Sequence, residues 1–387
     1  MEEENGLVVR IRAEILESSP HSGWQRGKAG EKRDVRCMTF ERYMSLCLYD
    51  ERDGYYRSGQ PRTGRQGDFY TSPAVGAVMA SCVAEAFGRY AETCGEPVQA
   101  IEWGVGDGRL SLQLFDLWAE SGSSARPYRQ LLIEDHPGHV EAAKNGFVHR
   151  GASPAAVLYR TSRQIVHEFD ELFGGHCVFL LANELLDAFP VHRVQRLDGE
   201  LVELGVTVTE DGGFNYAFMP LSEPEIAITL ERDGISLKEG QQTEVALAAC
   251  RWIGELGRLK RGRLLLIDYG HEAEEYAAPH RMLGTLLCYS GHRATDEPFR
   301  HPGRQDMTAH VPFTSIRRAA ERSGFRVVYY ETQKRFLADY GALERLRDHS
   351  DADPFSEAAR TNRAIRQLLL SDGMSETFKV MILDKVE

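Results

Sequence analysis

Long apolar runs are missing from this 387-residue sequence. None approaches the ~18 residues that cross a bilayer, so no membrane span is expected. Paired cysteines are missing too: Cys37, Cys47, Cys82, Cys94, Cys177, Cys250 and Cys288 are scattered, odd in number and contain no C-x-x-C. That excludes a disulfide framework, and without a Cys or His cluster at ligand spacing no metal is expected. Positive charge is in deficit, 46 Lys and Arg against 58 Asp and Glu, a formal net charge of −12. Nonspecific nucleic-acid binding works by neutralising phosphates, so no nucleic-acid partner is expected, whereas a basic peptide would be attracted. The opening MEEENG is acidic, unlike a signal peptide or an Arg-rich transit peptide, and with the reduced thiols it suggests a cytoplasmic protein. Repeats and low-complexity tracts are absent as well. What remains is an ordinary globular composition, long enough for one large domain with insertions or for two domains.

Hydrophobic periodicity organises the chain as alternating strands and helices. Residues 5–18 read as a helix, the polar stretch SSPHSGWQRGKAGEKRD as a mobile loop, and Thr39 as the start of a helix through Leu48. GDFYTSP, residues 67–73, is a loop, and residues 75–90 are apolar at helical spacing. Strands are expected at 98–102, 130–133, 156–159, 177–181, 263–267, 326–330 and 378–383, with helices between them, which implies a mainly parallel sheet. Residues 191–218 alternate around Asp198-Gly199 and Asp211-Gly212-Gly213, an inserted hairpin or small meander. Helix is expected from Thr243 to Leu259. Residues 270–311 form a long irregular segment, a length that inside a compact domain marks function or disorder. The expected organisation is an N-terminal helical cap region, 1–95, and a catalytic α/β domain, 96–387, with insertions at about 191–240 and 270–312.

The richest segment is EWGVGDGRL, from Glu102 to Leu110. A buried strand ends in an acid, Gly104, Gly106 and Gly108 follow at alternate positions, and Leu110, Leu114, Leu117 and Trp118 recur at helical spacing. Strand, glycine turn and helix bring bare backbone up to a ligand at the carboxyl ends of a parallel sheet. A dinucleotide turn reads G-x-G-x-x-G; here the third glycine comes one position early, and Glu102 would repel a pyrophosphate. An acid two residues before G-x-G-x-G suits a ligand with a cationic amino-acid end, S-adenosylmethionine (SAM) above all. Another nucleotide, or a tight turn without a ligand, are the alternatives.

Other candidates follow from position. Glu134 ends the second strand, where a carboxylate accepts from ribose hydroxyls, with Asp135 as the neighbouring fallback; the bland reading is a solvated strand-end acid. Asn183, Glu184 and Asp187 end the fourth strand, beside the switch point. A helical turn there would put Glu184 and Asp187 on one face. The bland reading is a capped helix start with two acids answering its dipole. The functional one is a catalytic carboxylate pair for a cation. Asp68, Thr71 and Ser72 lie in a loop able to close over the cofactor's amino-acid end, or are simple turn formers.

Seven segments in order, GDFYTSP, EWGVGDGR, ANELLDAFPVHRV, LLIDYG, GTLLCYSGH, PGRQDMTAHVPF and DGMSETFKV, make the chain resemble the MidA family of class I SAM-dependent methyltransferases from about Met38 onward. The sequence departs from the family's pattern at Ala74, where an acid is usual, and at Ser375, where glycine is. The resemblance implies a seven-stranded Rossmann-like sheet and SAM as cofactor. Only through the family-like segments LLIDYG and PGRQDMTAHVPF are Asp268 and His310 candidates for a substrate cleft, each with a loop hydrogen bond as the alternative; His292 and His301 are weaker. The family includes a mitochondrial complex I assembly factor that methylates an arginine, which implies a protein substrate with an exposed arginine. A scaffold factor with the same fold, or a dinucleotide-dependent oxidoreductase, are the competing readings.

Overall fold

The computed structural model describes residues 6–27, 30–57, 73–120, 127–291, 293–347, 353, 356–370 and 377–386. The chain forms two compact units, one of residues 60–185, 256–269 and 320–387, the other of residues 1–59, 186–255 and 270–319.

The first unit is built on a sheet whose strands are β1 (Val98–Trp103), β2 (Arg129–Ile133), β3 (Val157–Arg160), β4 (Cys177–Asn183), β5 (Gly262–His271), β6 (Phe325–Thr332) and β7 (Phe378–Lys385). Their spatial order is β6-β7-β5-β4-β1-β2-β3. β1 to β5 pair in parallel, and β7 runs antiparallel between β5 and β6. All six residues of β1 are buried, as a central parallel strand covered on both faces must be. The chain passes from β1 outward through β2 to β3 and then returns to β4 on the other side of β1. The topological switch therefore lies at the carboxyl ends of β1 and β4.

Helices cover both faces. Phe87 of the helix Pro73–Cys94, Trp118 of the helix Arg109–Glu120 and Phe179 of β4 meet with ring centroids 5.0 and 5.4 Å apart, at the centre of one core layer. Val105, Leu132, Phe147 and Val157 form the other. The helix Ser162–Phe173 shows why these segments are helical: Thr161 and Gln164 form a reciprocal capping box, and Ile165, Phe169, Leu172 and Phe173 recur on its buried face.

The second unit carries a six-stranded antiparallel sheet in the order Gln242–Val245, His192–Leu197, Glu200–Val208, Lys32–Thr39, His21–Arg26, Phe214–Met219. Glu200–Val208 also pairs with Phe214–Met219, so four of these strands close on themselves. A three-stranded sheet joins Arg293–Thr295, Leu287–Ser290 and Asp306–Thr308. Thr39 caps the helix Phe40–Tyr49 through the Arg42 N–H, at 3.1 Å, as expected.

Three expectations are corrected here. The polar stretch after residue 18 is not a mobile loop but most of a hairpin, His21–Arg26 with Lys32–Thr39. Its register is set by distant strands: Gly23 is buried so tightly that a Cβ there would lie 2.4 Å from the Phe218 carbonyl oxygen. Residues 242–245 form a strand before the helix Leu247–Leu256, because they pair with His192–Leu197 rather than extend the helical period. The irregular segment 270–311 contains the short helix Ala273–Tyr276 and the three short strands named above.

Candidate functional site

In the first unit, β1 ends at Trp103 and the glycine turn follows with φ of 79° at Gly104, 57° at Gly106 and 79° at Gly108. These values favour glycine, and contacts add a second reason at the two ends. A Cβ on Gly104 would lie 2.9 Å from Leu185 Cδ1, and one on Gly108 would lie 2.7 Å from Ala143 Cβ. The Gly104 N–H donates to the Ile133 carbonyl at 2.9 Å, tying the turn to the end of β2.

Glu134, one residue past β2, is the acid that faces this turn. Its Oε2 accepts from the Gly106 N–H at 2.8 Å, and its Oε1 accepts from the N–H groups of Asp135 and His136 at 3.0 and 2.8 Å. Asp135 in turn accepts from the Ser162 N–H at 2.8 Å. His136 Nδ1 caps the helix Pro137–His149, and its ring lies 4.4 Å from that of His139. Neither histidine stood out in the sequence, although a His-Pro pair before a helical period was a usable capping signal.

Glu102 sits differently from the others. It is 6% exposed, and its carboxylate accepts from the Ser111 hydroxyl within the layer beneath the helix Arg109–Glu120. Burial pushes its carboxyl up to about 8. Glu102 thus fastens the first turn of that helix to the strand from below.

At the end of β4, Asn183 is half-buried and Glu184 exposed, with Asn183 Nδ2 3.4 Å from Glu184 Oε1. Glu184 has φ 49°, and its N–H donates to the Ile267 carbonyl at 2.8 Å. The helical turn expected to align Glu184 with Asp187 is absent. A single 3₁₀ turn, Leu186–Ala188, begins two residues later, and Asp187 belongs to the second unit. Asp268 is fully buried: its oxygens accept from the Leu185 and Tyr269 N–H groups at 3.1 and 2.9 Å, the hydrogen-bonded alternative to a place in a cleft.

Within the second unit, Asp187 is 6% exposed and its carbonyl accepts from the Ala309 N–H at 3.0 Å. The buried Asp306 accepts from the Tyr56 hydroxyl at 2.7 Å and lies opposite Tyr289 in the sheet. Burial first, and then the two carboxylates, hold the Tyr56 and Tyr289 phenols above their usual range. Tyr56 and Tyr289 went unremarked in the sequence, since nothing in spacing joins residues so far apart. His310 packs against His271 with ring centroids 5.0 Å apart, and burial pushes its pKa down to about 4. His301 is exposed. Asp68, Thr71, Ser72 and His292 lie outside the described residues. Among the described residues no group of three His, Cys, Asp or Glu is arranged to hold a metal, and no helix is long and apolar enough to cross a membrane.

The residues present fit SAM. Two glycine positions where a Cβ would collide leave bare backbone at the switch point, and a carboxylate is pinned at the end of the next strand. A family model for S-adenosyl-L-methionine-dependent methyltransferases matches residues 78–331. A crystal structure of a Burkholderia thailandensis protein bound to S-adenosyl-homocysteine superposes with a TM-score of 0.83 at 29% identity, covering 98% of this chain and 92% of that one. Protein arginine methyltransferase NDUFAF7, mitochondrial, of Danio rerio is 25% identical over 368 residues, 87% of this chain and 81% of its own length. The Drosophila melanogaster homolog is 25% identical over 341 residues, 82% of this chain and 70% of its own. Both relatives are named mitochondrial, a compartment the acidic opening residues did not suggest. With switch point, glycine turn and ordered segments in agreement, the chain belongs to the SAM-dependent methyltransferase family, as its resemblance to MidA proteins implied, and SAM is its cofactor.

Proposed function

We propose that this methyltransferase acts on an arginine guanidinium of a protein partner. The observation that carries the reading is the set of two buried carboxylates, Asp187 and Asp306, and two half-buried phenols, Tyr56 and Tyr289, in the second unit. A guanidinium keeps its charge at any working pH, and acid oxygens and aromatic faces are the groups that receive it. The NDUFAF7 relatives are named for arginine methylation, which supports the same acceptor.

SAM supplies a methyl carbon on a positively charged sulfur. In the first unit, the backbone of Gly104, Gly106 and Gly108 and the carboxylate of Glu134 hold it, with Asn183 at the neighbouring strand end; Asp68, Thr71 and Ser72 are the proposed cover. Glu102 serves from beneath, by anchoring the glycine turn through Ser111. Glu184 binds the reacting guanidinium, localises its charge away from the attacking nitrogen, and accepts at a carboxylate oxygen the proton that nitrogen loses. Orientation of the nucleophile supplies much of the rate in such a displacement. Asp187 holds cationic side chains of the partner on its own unit. The seven free thiols support a reducing compartment, which both the cytoplasm and the mitochondrial matrix provide.

The test is radiolabelled methyl transfer from SAM into extract of a strain lacking this gene, followed by mass spectrometry of the labelled proteins. Label on arginine is the expected result. Glu184→Gln should keep S-adenosyl-homocysteine affinity within about threefold while losing most transfer. Label only on small molecules, nucleic acid or carboxylates would overturn the arginine acceptor, and no label at all would favour a scaffold role.

A further inference from the structure

Left-handed backbone is ordinarily left to glycine, and among the described residues only two others adopt it, Glu184 at φ 49° and Asp198 at φ 53°. Asp198 needs no special account: with Gly199 it makes the two-residue turn between the strands His192–Leu197 and Glu200–Val208, which demands positive φ at both positions. Glu184 stands in no such hairpin. A non-glycine residue stays in this region only where its surroundings over-determine it, and such residues gather at working sites.

What over-determines Glu184 is visible. Its own N–H donates to Ile267 at 2.8 Å, and the next N–H, of Leu185, donates to Asp268 Oδ2 at 3.1 Å. Asp268 Oδ1 accepts from the N–H of its neighbour Tyr269 at 2.9 Å, so each oxygen of a fully buried carboxylate accepts from main chain. A buried carboxylate is costly unless so engaged, which makes the arrangement rigid. The Leu185 side chain closes against Gly104, the first glycine of the cofactor turn. One carboxylate therefore fixes a three-residue corner that ends at the cofactor turn on one side and carries Glu184 on the other.

We infer that Asp268 is a positioning residue for methyl transfer: by holding the Leu185 N–H it keeps the neighbouring Glu184 in its strained conformation. This rests on the reading of Glu184 as the acceptor-binding carboxylate. In this role its effect on turnover passes through Glu184.

Asp268→Asn preserves size but presents an amide with one acceptor oxygen in place of two. It should bind S-adenosyl-homocysteine within about threefold of the unaltered protein by calorimetry, and label the deletion-strain extract at least about tenfold more slowly. The decisive readout is coupling, measured with enough enzyme that the Glu184→Gln rate stands above background. If Asp268 acts through Glu184, the double variant labels no more slowly than Glu184→Gln alone. Losses that multiply, or an Asp268→Asn protein that labels at the unaltered rate, would overturn the inference and leave the acceptor reading intact. Unaltered labelling by Glu184→Gln alone would instead overturn the acceptor reading, and this inference with it. Should Asp268→Asn fail to fold, hydrogen exchange in the unaltered protein decides. Strong protection of the Leu185 and Tyr269 amides supports the clamp, and exchange at free-peptide rates refutes it.

Discussion

Replacing Glu102 by Gln should stabilise the ligand-free protein, and by more the higher the pH. The Glu102 carboxyl is 6% exposed and accepts from Ser111. Burial raises its pKa from 4.5 to about 8, the charges of Asp107 and Glu134 push the same way, and Ser111 opposes them. The folded protein therefore holds this proton more tightly than the unfolded chain. That contribution is fully present below about pH 4.5 and is lost as pH rises to about 8. At ~1.4 kcal/mol per pH unit, the whole window is worth about 5 kcal/mol, and the part between pH 5.5 and 8 about 3 kcal/mol. Gln has no proton to lose and still offers Ser111 an acceptor oxygen. Across that interval the melting temperature of Glu102→Gln should gain on the unaltered protein by roughly 6–12 °C, at about 2–4 °C per kcal/mol for a unit of this size. Thermal unfolding at constant ionic strength measures the gap directly. A gap that does not widen with pH would show that the carboxyl titrates as an exposed one does, and would refute the burial argument.

Gly106→Val should fold yet weaken S-adenosyl-homocysteine binding at least about a hundredfold, since a β-branched residue at φ 57° is an outlier and would release the N–H held by Glu134. Unchanged affinity in a folded variant, read by calorimetry, would remove the cofactor assignment from this turn. Gly108→Ala should cost about 2–4 kcal/mol in urea unfolding, because backbone strain adds to collision with Ala143. Gly151→Ala, at φ 70° with nothing within 4 Å, should show the strain alone, about 1–2 kcal/mol, and equal losses would refute the packing explanation.

Local signals in the sequence carried the first unit further than the second. Each strand of the seven-stranded sheet was legible within about two residues at most ends; for β1, β2, β4, β5 and β7 this is because strands largely buried on both faces are apolar runs that need no partner to be recognised. The exception was β5, which runs four residues past its expected end. The glycine turn was legible for the same local reason. The hairpin His21–Arg26 and Lys32–Thr39 was not, since its inner face is Gly23 and Cys37 to Thr39 and its partners lie far along the chain. Glu184 and Asp187 stood out by position, but the helical turn expected to align them is absent. A three-residue spacing says nothing of φ, and the clamp that sets it comes from Asp268, more than 80 residues away. Asp306 lay inside a recognised segment, whereas its partner Tyr56 had no signal at all.

The place of β7 between β5 and β6 has a consequence for how this protein is made. β5 and β6 are neighbours only through β7, which lies between them and is synthesised after both. At about 5–20 residues per second, the roughly 110 residues separating β5 from β7 take some 5–20 s to emerge, and until then β5 presents an apolar edge to the ribosome surface and to other nascent chains. Open strand edges of this kind are what holding chaperones cover and what aggregation exploits. A chain stopped before Phe378 would keep its cofactor turn intact and still be the species most prone to aggregate.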